Sequence, residues 1–234
     1  LYVILQGSKE VIATASNVIF LVVAWASTAV ALWCSSRYWV EPRLRFSTIW
    51  LLISASMVFD ALGETVWAWY VLVLGMEVPY PSVADVFYLL SYPPIILGLY
   101  LYVKMFGEVV PRKRVARVVA ALVAAGLVIS YFTISAILAE AEEPLVAALD
   151  ITYPSLDLVI LVLAHVGLFI FMEGRLAKAW LALVVAAMLD VFGDLFFTYL
   201  TLIGLYYEGH IIEVLSLWAW IAYALAFYIH RYEF

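Results

Sequence analysis

Two stretches carry the residue types that could do chemistry inside an otherwise apolar chain. Met57–Tyr70 reads MVFDALGETVWAWY and holds Asp60 and Glu64; Met188–Tyr199 reads MLDVFGDLFFTY and holds Asp190 and Asp194. Asp60 answers to Asp190, Gly63 to Gly193, and Glu64 to Asp194. In both copies the acids are four apart, so a helix puts them on one face with the glycine beside them. Neither run contains Lys or Arg. An ionisable group at membrane depth is costly and is held there for a function. Crowded carboxylates must be relieved by protonation, by hydrogen bonds or by a bound cation. Oxygen ligands suit a hard cation such as Ca²⁺ or Mg²⁺. An organic cation boxed by Trp67, Trp69, Trp218 and Trp220 is the alternative, and those tryptophans also fit an interfacial belt. Two acid pairs at matching places predict one site built from two related halves.

The elements that must position these acids are membrane-spanning helices. The chain has 234 residues, of which 68% are hydrophobic and 13% charged, and its mean hydropathy is +1.08. A soluble domain is only about 45–50% apolar, so this composition predicts an all-α integral membrane protein partnered by the lipid bilayer. The net charge of −6 says little about nucleic acid, because the basic residues are few and lie in loops, and no nucleic-acid partner is expected. One cysteine, Cys34, excludes an internal disulfide and a cysteine-based metal framework. Leu1–Gln6 is too short for a signal peptide, so the first apolar run reads as a true span.

Seven runs reach the roughly 17–25 residues of a spanning helix: 11–34, 46–74, 83–105, 115–139, 155–173, 177–206 and 211–230. The loops after the first, third and fifth carry most of the Lys and Arg, and the C-terminus adds Arg231. The alternate loops, 75–82, 140–154 and 207–210, carry none, and only Lys9 joins them. Positive residues stay cytoplasmic, so the N-terminus is expected outside and the C-terminus in the cytoplasm of a multi-pass cell-membrane protein. The external loops then hold Glu77, Glu140, Glu142, Glu143, Asp150 and Glu208, expected as a solvated acidic face. Spans two and six run the same way, as do three and seven. The whole chain is one domain in a 3+1+3 parallel pseudo-repeat about an axis along the membrane normal. Its halves are 11–105 and 155–230, joined by a linker helix, 115–139, whose small residues suit close packing.

Pro79–Pro94, PYPSVADVFYLLSYPP, leads into the third span. Ser82 is placed to cap it and Asp85 sits in its first turn, where a helix N-terminus favours an anion. Tyr88 and Tyr92 follow on the face of Asp85. The element recurs in part at Tyr153–Asp157, YPSLD, expected to open the fifth span. All the acids of interest lie in the outward half, with Asp85, Asp157 and Glu213 at the outer starts of spans three, five and seven. The expected ligand-binding set is Asp60, Glu64, Asp85, Tyr88, Tyr92, Asp157, His165, Asp190, Asp194 and Trp218.

YPSVADVFYLLSYPPIILGLY, YPSLDLVILVL and LDVFGDLFFTYLTLIGLY, followed by a Trp-rich helix with Tyr223, occur here in that order. Over about residues 45–230 this resembles the multi-span membrane sensor domain found N-terminal to bacterial diguanylate cyclase (GGDEF) signalling proteins. The resemblance implies a sensory or signal-transducing role. The chain ends at Phe234 with no catalytic domain in view, so cyclase activity is not expected.

Other chemistries fit less well. His165, His210 and His230 are too scattered for an HxxxH zinc pair; His165 is expected as a bundle residue or a relay beside Asp157. No span interior offers a lysine for a retinal Schiff base. Phe192-Gly193-Asp194 is similar to part of the Gly-x-Gly-Asp motif of intramembrane aspartyl proteases, but Val191 replaces the first glycine and no Pro-Ala-Leu motif occurs. The expected function is therefore not enzymatic. It is a receptor-like sensor with an outward-facing acidic and aromatic cavity for a cation or small ligand, with no cofactor beyond a bound cation. Its expected partner is a cytoplasmic signalling protein or other membrane subunits. The alternatives are a small-solute or cation transporter and a structural subunit of a membrane assembly.

Overall fold

The computed structural model describes residues 9–39, 44–106 and 143–234, with 113, 116, 117, 119–121, 123 and 124 between the last two. Six helices among them are long and apolar enough to cross a membrane. They are α1 (Lys9–Trp39), α2 (Leu44–Ala68, continued by a π-helical turn at Trp69–Val73), α3 (Val83–Phe106), α4 (Pro144–Phe171), α5 (Ala177–Leu202) and α6 (Glu213–Glu233). The chain is a helical, multi-pass membrane protein. Hydrocarbon offers backbone groups no partner, so each segment must satisfy its own hydrogen bonds as a helix. The expected span at 115–139 falls largely outside the described residues.

The six helices close into a ring, each packed on its neighbours in chain order, with α6 returning to α1. Alanines with almost no exposure (Ala24, Ala31, Ala61, Ala164, Ala186, Ala219) let the backbones approach closely. The outer surface presents Val22, Leu51, Trp69, Leu181 and Trp218, as a lipid-facing surface requires. Contacts between side chains fix the helix directions. Tyr153 meets Asp85, Tyr92 meets Asp157, and Phe171 packs on Tyr102 and Phe106, so α3 and α4 run parallel. Ser16 meets Glu213 and Tyr38 meets His230, so α1 and α6 run parallel. Thr28 bonds the Met57 carbonyl and Ser35 bonds Ser54, so α2 runs against α1. Phe171 stacks on Trp180 and Tyr223 bonds Asp190, so α5 runs against α4 and α6.

One boundary differs substantially from the sequence expectation. The fifth span was expected to open at YPSLD, near 155, yet α4 begins at Pro144 and passes through Pro154. Pro144 occupies the first helical turn, where its missing N–H costs nothing. Pro154 removes one internal donor, and the Thr152 and Ser155 hydroxyls donate to the neighbouring carbonyls of Ala148 and Ile151. Continuing the helix costs less than exposing a broken backbone to lipid. Asp157 therefore lies about 20 Å along the helix from Pro144, not at an outer start. Asp150, expected in a solvated loop, is on α4, 6% exposed, and accepts from the Tyr80 hydroxyl at 2.7 Å.

The ring is filled at one end by aromatic side chains. His230 is 3% exposed; its Nδ1 pairs with the Tyr38 hydroxyl at 2.9 Å and its Nε2 with the Tyr102 hydroxyl at 2.6 Å. Trp50 lies 4.2 Å from the His230 ring centre and Phe234 stacks on it at 5.2 Å. Trp180 crosses α4 at Gly167, where any Cβ would overlap its ring. Of the three scattered histidines, only His230 joins three helices, and nothing in its local sequence marks it out. At this end lie the side chains of Arg37, Arg175 and Arg231, with Arg231 over the Trp33 ring at 4.4 Å and Arg175 paired to Glu233 at 3.0 Å.

Candidate functional site

The other end of the ring opens into a cavity of about 230 Å³ to which all six helices contribute. Its lining contains eight carboxyl groups (Asp60, Glu64, Asp85, Asp157, Asp190, Asp194, Glu208, Glu213) and no Lys, Arg or His. Aromatic rings fill much of the rest, among them Trp67, Tyr88, Tyr92, Tyr153, Trp220 and Tyr223.

The rim carboxylates are well supplied with donors. Ser82 and Asp85 cap α3 reciprocally. The Ser82 hydroxyl accepts from Ala84 N at 3.1 Å, and Asp85 accepts from Ser82 N at 2.6 Å. Asp85 also receives the Ser82 and Tyr153 hydroxyls. Glu213 receives the Gly209 N–H at 2.7 Å, the Tyr206 hydroxyl at 3.0 Å and the Ser16 hydroxyl. Glu208 receives Asn17 Nδ2 at 3.0 Å and Trp67 Nε1 at 3.1 Å. Glu208 was expected on a solvated face; it instead ties the α5–α6 loop to α1 and α2. Burial raises its carboxyl above the ordinary glutamate range, with the charges of Glu213 and Glu77 adding to the rise and the bonds from Asn17 and Trp67 opposing it. Burial also raises the Tyr80 and Tyr206 hydroxyls, which stay protonated donors.

The deeper acids are poorly supplied. Tyr92 donates to Asp157 Oδ1 at 2.8 Å and Tyr223 to Asp190 Oδ2 at 2.8 Å. Asp157 is 3% exposed and its Oδ2 has no donor. Asp194 lies within hydrogen-bonding reach of Asp157, a contact that needs a proton on one of the two carboxyl groups. Asp60 is charge-coupled to Asp190 and Asp194 across the cavity. Tyr88 bonds Glu64, and Gly63 makes room for it, because any Cβ there would overlap the Tyr88 ring. The glycine of the Asp-x-x-Gly-Glu pattern is thus a seat for an aromatic ring from α3. Its counterpart Gly193 faces Ser216, 3.0 Å from where a Cβ would stand.

No family model matches the chain, and no curated protein or solved structure is significantly similar to it.

Of the expected ligand-binding set, Asp60, Glu64, Asp85, Tyr88, Tyr92, Asp157, Asp190 and Asp194 line this one cavity. Two residues of the set do not. Trp218 is 56% exposed on the outer face of α6, two positions from Trp220 on the inward stripe that also carries Tyr223. His165 lies two turns beyond Asp157 and its Nδ1 pairs with the Leu161 carbonyl of its own helix at 2.9 Å. It is no relay beside Asp157. Of the tryptophans, Trp67 and Trp220 line the cavity, and Trp69 faces outward with Trp218. Among the described residues no three of Asp, Glu, His and Cys converge tightly enough to hold a metal ion. The sequence reading did not single out Ser16, Asn17, Tyr80, Tyr153 and Tyr206; helix packing brings the first four to the acids, and Tyr206 meets Glu213 within the α5–α6 connection.

Proposed function

We propose that this protein is a receptor-like membrane sensor whose cavity opens outward and binds a small organic cation. The observation that carries the reading is a lining of carboxyl and aromatic groups without one basic side chain, which suits a positive ligand by charge and by cation–π contact. The cavity is smaller than the roughly 300–1,000 Å³ of a drug-sized site, so the ligand is metabolite-sized. The aromatic plug around His230 closes the opposite end, which favours a receptor open to one side over a pore. The sensor role also agrees with what the resemblance to cyclase-associated membrane domains implies, and a cytoplasmic signalling protein or another membrane subunit is its natural partner.

The membrane arrangement is part of the same proposal. Arg37, Lys104, Arg175, Lys178 and Arg231 all belong to the plugged end, and the acids to the open end. The positive-inside rule makes the plugged end cytoplasmic and the N-terminus external. Parallel α3 and α4 put Phe106 and Pro144 at opposite ends of the ring, which supports a seventh span between them. The ring order and directions also fit a twofold relation of α1–α3 to α4–α6 about the membrane normal. That relation favours a second reading, a cation transporter. Equilibrium binding in lipid nanodiscs and uptake into proteoliposomes, with organic cations, separate the readings. Binding without flux supports the sensor, flux that tracks binding replaces it with the transporter, and no binding removes both.

A further inference from the structure

The donors around the eight carboxyl groups are unevenly shared. At least three reach Glu213, three reach Asp85 and two reach Glu208. The four inner aspartates together receive two, from Tyr92 and Tyr223. Among the described residues no donor from outside this cluster reaches Asp60 or Asp194, whose one near partner is the Asp157 carboxyl, and Asp157 Oδ2 is buried without a donor. A buried acceptor left without a donor loses its hydration and gains nothing in return, and a charged acceptor loses most. Something that enters the cavity must therefore bring hydrogen-bond donors as well as positive charge. Among the described residues no three acids stand close enough together to hold a metal ion, and a quaternary ammonium brings charge but no N–H.

Resting on the organic-cation reading above, we propose that the inner aspartates form a recognition site for a cation bearing N–H groups, a primary ammonium or a guanidinium. Asp60 of α2, Asp157 of α4 and Asp190 and Asp194 of α5 accept its N–H bonds. Tyr92, Trp220 and Tyr223 wall its carbon skeleton. Binding draws α2, α4 and α5 onto one charged group, which is the mechanical link a sensor needs between an external ligand and its helices.

The test uses the full chain in lipid nanodiscs and two probes of equal chain length, n-butylammonium and n-butyltrimethylammonium, with butylguanidinium as a third. Calorimetry should show the ammonium and guanidinium binding at least about tenfold more tightly than the quaternary ion, the difference that one or two charge-assisted hydrogen bonds supply. Asp157→Asn and Asp60→Asn should each weaken n-butylammonium binding by about tenfold or more. Glu77→Gln, in the exposed loop before α3, should leave it unchanged. Asp60 has no protein hydrogen bond to lose, so Asp60→Asn keeps the test decisive if Asp157→Asn does not fold. Equal affinity for the quaternary ion overturns the N–H recognition and leaves the organic-cation reading standing. Failure of all three probes to bind overturns that reading too, and means that protons shared between Asp157 and Asp194 complete the site.

Discussion

Gly63 and Tyr88 show how a single position couples packing to the site. The ring of Tyr88 occupies the space that a side chain at 63 would fill, and its hydroxyl serves Glu64. Gly63→Ala should lower stability by about 1–3 kcal/mol through overpacking, read as a fall in thermal midpoint in detergent. Adding Tyr88→Leu should recover part of that loss, because the two positions share one volume and should not be additive. A full loss in the double variant would show that the strain lies elsewhere. At the opposite end, His230→Ala leaves the Tyr38 and Tyr102 hydroxyls without their imidazole partner and opens a cavity beside Trp50. The expected cost is about 2–5 kcal/mol, larger than for any substitution in the exposed loops. A thermal midpoint within a degree or two of wild type would refute the keystone role.

At the scale of elements, the α5–α6 loop is fastened by its own carboxylates. Glu208 reaches α1 and α2, and Glu213 reaches α1 and back to Gly209. Burial raises the Glu208 carboxyl in the fold, so folding favours its protonated form. Its contribution to stability is then full below the ordinary glutamate value of 4.5 and is lost as pH rises through the raised value. Wild type should lose stability relative to Glu208→Gln as pH rises through the weakly acidic range, with the two curves running parallel above it. A pH-independent difference between the two thermal midpoints would show that Glu208 does not titrate in that range. The loop clamp and the α4 start share one lesson. Both depend on partners far away in sequence, Asn17 for Glu208 and Tyr80 for Asp150, so local composition read them as solvated loop charges.

For the whole molecule, the ring has an acidic open end and a basic, aromatic-filled base. Cysteine introduced at 78, on the loop before α3, should react with an impermeant thiol reagent from outside. Cysteine at 173, between α4 and α5, should react only from the cytoplasm. Both should be made in a Cys34→Ser background, although native Cys34 is 1% exposed and itself a poor target. Labelling of both sites from one side would overturn the orientation.

Hydropathy and spacing alone determined that the chain crosses the membrane, where five of the six described helices begin to within a few residues, and that carboxylates lie inside the spans. An apolar run of spanning length has no other stable state in lipid, and a carboxylate inside one is expensive wherever the helix finally packs. Tertiary structure decided the rest. The ring closure chose which face of each helix points inward, separating Trp220 from Trp218 and leaving His165 bonded to its own backbone. It also decided which acids are supplied with donors and which are not. Ser16, Tyr80 and Tyr153 reach the carboxylates from elsewhere in the chain, and a hydrogen bond across such a separation leaves no period or spacing in the sequence to read.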